Sequence, residues 1–152
     1  AYEIRNCDWS SDVCSSDLRG VRGISMKGDH EVISMLVFEG ATSADSVLVA
    51  TENGYGKRSA FSDFPSKNRG GQGVIAIRVG GRNGSLVGAE RVVDSDGLML
   101  ITGGGRLVRT RIDEIPMVGR NTQGVRLIRL AEEESLVSIS TVVDTGEESV
   151  DE

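Results

Sequence analysis

The sequence is poor in the residues that carry most enzyme chemistry. In 152 residues there are one histidine, one tryptophan, two cysteines and two prolines, and aromatics make up only 4%. With His30 alone there is no histidine pair to hold a metal or relay a proton, so it reads as a surface residue. Cys7 and Cys14 lack the partners of a structural zinc site, and a disulfide is not expected in a cytoplasmic protein, so the pair has no assigned role. Long apolar runs are also missing. The longest are four residues (Met35 to Phe38, Val47 to Ala50, Val74 to Ile77, Leu98 to Ile101), against the roughly 20 that a membrane-spanning helix needs. Residues 1–6 have neither the basic start nor the apolar core of a secretory signal, which makes a cytoplasmic location the expectation.

Glycine, by contrast, is abundant, with 20 residues, nearly twice the usual ~7%. Charge is abundant too, and unevenly spread. The net charge is -6, but residues 1–18 carry one basic and four acidic side chains, residues 19–130 carry 16 basic and 11 acidic, and residues 131–152 carry eight acidic and none basic. A basic body beside an acidic end points to a polyanionic partner and a tail that competes with it.

Both cysteines and the single tryptophan fall in the first eighteen residues. There the run Asp8 to Leu18 resembles the conceptual translation of a short-read sequencing adapter. It is rich in Ser and Asp and has no apolar period, so it has no face to bury. Residues 1–18 are therefore expected to be artefactual or disordered, and the chain to be an end piece whose upstream units are missing.

From residue 19 onward one pattern recurs. Its first element is Arg19 to Ile24, then Gln72 to Ile77, then Gln123 to Ile128, spaced by 53 and 51 residues. A second element follows at Val32 to Ser34, Leu86 to Gly88 and Leu136 to Ser138. The third, Val47 to Thr51 and Leu98 to Thr102, runs through a Gly-bearing turn into a basic fourth, Tyr55 to Arg58 and Arg106 to Arg109. The turns Glu52-Asn53-Gly54 and Gly103-Gly104-Gly105 suit tight hairpins, so the third and fourth elements should pair. Short β-branched runs without a helical period predict strands throughout. Each repeat is expected to be a four-stranded unit stacked on its neighbours, giving two full units, half of a third, and an acidic tail at residues 144–152.

The runs Glu52 to Arg58, Arg69-Gly70-Gly71-Gln72-Gly73-Val74 and Gly119 to Leu127 are specific enough to carry a resemblance. They are similar to the C-terminal domain of the bacterial DNA gyrase A subunit, over about residues 19–143. The resemblance implies an all-β fold, a β-pinwheel of six blades that exchange strands, with duplex DNA wrapped around its rim. It further implies a part in ATP-dependent negative supercoiling by a type II topoisomerase. The partners would be double-stranded DNA, the gyrase A dimer and gyrase B, in the nucleoid. No cofactor belongs to this piece; ATP and Mg serve other parts of the parent enzyme. Lys67 to Gly73 matches only a degenerate later copy of that family's Gln-Arg-Arg-Gly-Gly-Lys-Gly box.

Basic residues at regular intervals along a curved rim neutralise successive phosphates and release counterions. The candidates are those that recur in register: Arg22 and Arg126 in the first element, Lys67, Arg69 and Arg120 in the loop before it, and Lys57, Arg58, Arg106, Arg109 and Arg111 in or just after the fourth. Arg78, Arg82, Arg91 and Arg129 do not recur cleanly and read as surface. Gly20, Gly73 and Gly124 read as structural bends. No recognition helix, zinc finger or stacking platform is present, so binding should tolerate sequence. Tyr55 sits in a hairpin and reads as packing rather than as a nucleophile. Gly80 to Ser85 and Asp94 to Gly97 read as turns, not as phosphate or calcium loops. Two other readings stay open: the C-terminal domain of the topoisomerase IV A subunit, and a propeller-like protein-interaction module.

Overall fold

The computed structural model of the chain describes residues 20–38, 40 and 44–143. The expectations for residues 1–18 and for the acidic tail 144–152 lie outside the described residues. Among those described, the strands are β1 (Ser46–Thr51), β2 (Tyr55–Ala60), β3 (Leu86–Val92), β4 (Gly97–Thr102), β5 (Leu107–Arg111), β6 (Val125–Arg126) and β7 (Leu136–Val142). They form two antiparallel sheets, ordered β3-β1-β2-β6 and β5-β4-β7.

The two hairpins form where the turn residues place them. Gly54 and Gly105 both take positive φ, +76° and +79°. Their amides donate to Thr51 O and Thr102 O, each over 2.9 Å. The same bulge recurs one repeat apart, between Ala50 and Thr51 in the β1–β3 ladder and between Ile101 and Thr102 in the β4–β7 ladder.

The fold is all-β as expected, and the sheets do not coincide with the sequence repeats: strands are exchanged between repeats, in line with the pinwheel resemblance and in place of one separate four-stranded unit per repeat. The hairpin β1–β2 comes from the first repeat, β3 from the second and β6 from the third. Likewise β4–β5 is second-repeat and β7 third-repeat. A second element therefore pairs with the hairpin one repeat before it, and a first element with the hairpin two repeats before. This rule explains why Gly20 to Ile24, Val32 to Ser34 and Gln72 to Ile77 are not strands: the described residues contain no hairpin one or two repeats ahead of them. Val21, Val32, Met35 and Val37 are accordingly exposed, by 64–83%.

Apolar alternation on β1 serves two layers at once. Leu48 and Ala50 face the second sheet in a core with Val92, Leu98, Leu100, Ile112, Ile115, Ile128, Leu136 and Ile139. Val47 and Val49 face the other way, with Ile77 and the partly buried Leu36, Phe38, Phe61 and Phe64. At roughly 1.5–3 kcal/mol per fully buried aliphatic side chain, the layer between the sheets is the main apolar term holding them together.

Candidate nucleic-acid interface

The lead-in loop of each later repeat is tied to the end of the preceding first element by one recurring hydrogen bond. The Ser25 amide donates to Gly71 O over 2.8 Å, and the Arg78 amide donates to Thr122 O over 3.0 Å. This link sets down two basic clusters. In the first, Arg22, Lys67 and Arg69 are all exposed, and the Gly70 amide bonds Gly23 O over 2.8 Å, bringing the two segments together.

In the second cluster, Arg120 donates to Ile75 O over 3.2 Å and lies 5.8 Å from the Phe64 ring centre. Arg78 Nε donates to Asn121 Oδ1 over 2.7 Å. Arg82 and Arg126 both lie over the Tyr55 ring, at 4.9 and 5.3 Å from its centre, and Arg126 also donates to the Tyr55 hydroxyl over 2.8 Å. Tyr55, Arg82, Arg126 and Arg129 line one open groove with Gly124. Among the described residues, Arg78, Arg82, Arg120 and Arg126 form no ion pair with a carboxylate, whereas Arg58, Arg91, Arg106 and Arg111 do.

Close backbone approach builds the wall of this groove. Gly124 has φ +76°, and a Cβ there would sit 2.5 Å from Gly56 O. Only glycine lets β6 lie against β2 at that point. The reading of Gly20, Gly73 and Gly124 as structural fits their positive φ of +52°, +72° and +76°.

Lys57 and Arg58 do not stand on the rim, a correction to their reading as phosphate contacts. Lys57 is fully buried, and its Nζ donates to Gly119 O over 2.7 Å and also to Arg120 O. Burial, and then the nearby Arg120 charge, hold its ammonium below the usual lysine pKa, with Asp63 opposing. Arg58 is 6% exposed, donates through Nε to Ile115 O over 2.7 Å and pairs with Asp94. The reason is what packs on β2: β1 pairs along its length, β6 reaches only Tyr55 and Gly56, and the segment at residues 115–120 covers Lys57 and Arg58.

The basics of β5 are differently placed. Leu107, Arg109 and Arg111 alternate outward on an edge strand. Arg109 lies across Gly97, where a Cβ would be 3.0 Å from its Nε. Arg111 pairs with Asp113 at 2.5 Å, and Arg106 pairs with Glu134 at 2.8 Å while donating to Arg129 O over 3.0 Å. Glu134 is itself held below the usual carboxylate range by the Thr102 hydroxyl, the Ala131 amide and Arg106, against its partial burial.

The sequence and the fold are matched by known proteins. A family model described as DNA gyrase C-terminal domain, beta-propeller, covers residues 19–39, 45–92 and 97–142. The chain belongs to the DNA gyrase C-terminal domain family. The DNA gyrase A subunit of Salmonella typhimurium is 52% identical over 125 residues, 82% of this chain and 14% of the relative. Its Escherichia coli K12 counterpart is 50% identical over 129 residues, 85% of this chain and again 14% of the relative. The chain thus spans about one seventh of the gyrase A subunits it matches.

A solved gyrase A C-terminal domain superposes with TM-score 0.61 at 29% identity, over 64% of this chain and 33% of that one. The C-terminal domain of DNA topoisomerase IV gives TM-score 0.73 at 23% identity, over 82% and 38%. The second likeness is one of fold; identity near 50% is with gyrase subunits, and the topoisomerase IV reading is correspondingly weaker. The gyrase family match begins at residue 19, directly after the adapter-like run. Arg78 and Arg82, which read as surface from the sequence because neither recurs in register, lie in the second cluster. The one available signal was that each lies within a Gly-rich turn or just before it, the kind of loop that approaches a ligand.

Proposed function

We propose that this chain is a rim segment of a DNA-wrapping wheel, binding duplex DNA through phosphate contacts without reading sequence. In the parent enzyme, in the bacterial cytoplasm with gyrase B as partner, this contact would serve ATP-dependent negative supercoiling, and catalysis would lie in parts outside this chain. The observation that carries the reading is the cluster of Arg78, Arg82, Arg120 and Arg126. Segments from successive repeats converge there, and its guanidinium groups are held by neutral partners rather than by carboxylates. Cations held in this way keep their charge for a polyanion and give up little on contact. Arg22, Lys67 and Arg69 extend the same surface to the preceding repeat, and Arg109 and Arg111 project from the next sheet.

The test is binding of the 152-residue chain to a random-sequence duplex across a salt series. Four to six phosphate contacts give a log-log slope of roughly -4 to -5, and an Arg82→Ala/Arg126→Ala variant should flatten it by about 2. A folded chain with salt-insensitive binding, or none, would overturn the reading and send the search to protein partners of the apolar strip at Val21 and Val32 to Val37. For the tail, deletion of residues 144–152 should tighten low-salt binding if it shields the rim; unchanged affinity leaves it a solubility role.

A further inference from the structure

Lys57 is a buried cation whose Nζ is taken up by two backbone carbonyls, so its charge acts inside the fold. Strand β2 grips the segment that leads into the third repeat at every residue from Lys57 to Ser59. Arg58 Nε donates to Ile115 O over 2.7 Å. Arg58 bridges to Met117 in parallel register, and its carbonyl accepts from the Val118 amide over 2.8 Å. Ser59 Oγ donates to Val118 O over 2.8 Å. Lys57 Nζ ends the series on the carbonyls of Gly119 and Arg120.

Those two carbonyls also accept from within the turn that bears the basic cluster. The Thr122 hydroxyl donates to Gly119 O over 3.2 Å, and the Thr122 amide donates to Arg120 O over 3.0 Å. From the same turn, Asn121 holds Arg78, and Gln123 O accepts from the buried Asn83 Nδ2 over 3.2 Å. An ammonium under two carbonyls fixes their direction more firmly than a neutral donor does, because the bonds are charge-assisted.

We infer that Lys57 is a positioning residue for DNA binding: through the Gly119 and Arg120 carbonyls it sets the turn that aims Arg120 and, by way of Asn121, Arg78 at the duplex. The inference rests on the proposed DNA-binding reading and adds a residue that never touches the nucleic acid. It predicts coupling rather than addition. Removing Lys57 should lower low-salt affinity about 3- to 10-fold and reduce the salt slope by about one contact, ~0.9. Once Arg120 is gone, removing Lys57 should cost little more, because the group it orients is absent.

The experiment compares wild type, Lys57→Met, Arg120→Ala and the double variant, all as the 152-residue chain, against a random-sequence 40-base-pair duplex in a salt series. Circular dichroism checks that each keeps its strand signal. The expected result is that both single variants flatten the slope by about one contact and the double variant matches Arg120→Ala. Two results overturn the inference: a double variant that loses two contacts, which makes Lys57 a direct phosphate ligand, or a folded Lys57→Met with wild-type slope and affinity. Should Lys57→Met lose its strand signal, Ser59→Ala takes its place, since it loosens the same segment by one neutral bond. About a twofold loss of affinity is then expected, absent in the Arg120→Ala background, and a folded Ser59→Ala with wild-type binding overturns the inference. If wild type itself shows no salt-sensitive binding, the functional reading fails, and the two failures are distinguishable.

Discussion

Strands β2 and β5 leave equivalent hairpin turns one repeat apart, yet their surroundings differ. The first lies between β1 and β6 and is buried along its length; the second is the edge of its sheet and alternates exposed and half-buried residues. Arg58 and Arg109 occupy matching positions. Arg58 is spent on Ile115 O and Asp94 inside the fold, while Arg109 lies outward across Gly97. Recurrence of a basic residue in register therefore fixes its place along the strand but not its task. What packs on the strand decides if the cation faces protein or solvent, and for Arg58 that is the segment bearing Ile115 and Met117.

The largest effect expected from this contrast lies in the layer beneath the strands. Leu48 on β1 and Met99 on β4 are equivalent by the repeat. Leu48 is fully buried between the sheets, whereas Met99 is half-buried. Leu48→Ala should cost about 3–4 kcal/mol and Met99→Ala about 1 kcal/mol. Urea unfolding of the two variants measures both, and equal losses would mean that the two sheet faces are not as different as their burial indicates.

Next in size are the arginines. Arg58→Ala leaves the Ile115 carbonyl without its donor and Asp94 without its cation, so about 2–3 kcal/mol of stability should go. Arg111→Ala breaks a pair whose side chains are 73% and 41% exposed, worth under about 1 kcal/mol. The order should reverse in DNA binding, where Arg111→Ala takes away about one unit of salt slope and Arg58→Ala, below its lowered melting point, takes none. An Arg58→Ala protein that is fully stable but binds weakly would return Arg58 to the rim.

How much of this was legible in the sequence follows from the same geometry. Hairpin turns are local, so Gly54 and Gly105 announced β1–β2 and β4–β5, and the recurrence of the second element placed β3 and β7. Of the first elements expected to be strands, only Gln123 to Ile128 yields one, the short β6; that those at Gly20 to Ile24 and Gln72 to Ile77 yield none was not legible, because pairing across two repeats depends on a partner that no local pattern encodes. Among the proposed contacts, Arg22, Lys67, Arg69, Arg120 and Arg126 came from recurrence. Lys57 and Arg58 are buried, which recurrence does not show because it is blind to the segment at residues 115–120 that packs on β2. Arg82 gains its place only from Tyr55, 27 residues earlier, beneath its guanidinium.

Titration separates the two hairpins into an alkaline and an acid range of pH. Lys57, under the first, has its folded pKa lowered by burial and by Arg120, so the native state gives up that proton before the unfolded chain does. Between the lowered value and the ordinary 10.5 the unfolded state binds more protons, and stability rises with pH. The lysine thus imposes a cost at neutral pH that is relieved on the alkaline side. Denaturant midpoints followed upward from neutral pH toward 10.5 should climb for wild type relative to Lys57→Met. Parallel curves would show that the ammonium is not desolvated.

Glu134, beside the second hairpin, gives the smallest effect; stability again rises with pH, here because contacts favour the charged form rather than because burial penalises it. Its carboxylate accepts from the Thr102 hydroxyl over 2.5 Å and the Ala131 amide over 3.1 Å, and it pairs with Arg106. These contacts favour the charged form and lower its folded pKa below 4.5. The stabilisation is complete above the unfolded value and is lost as pH falls through the folded one. Because the side chain is near solvent, the difference is a change of slope rather than a collapse. Glu134→Gln keeps an acceptor for Thr102 but cannot titrate, so its stability should decline less steeply than wild type below about pH 5. The same variant frees Arg106 from its only described carboxylate partner, and DNA affinity at low salt should rise slightly. A Glu134→Gln protein whose acid limb runs parallel to wild type, with unaltered DNA binding, would mean that the turn at Ala131 to Glu134 closes without help from the charge.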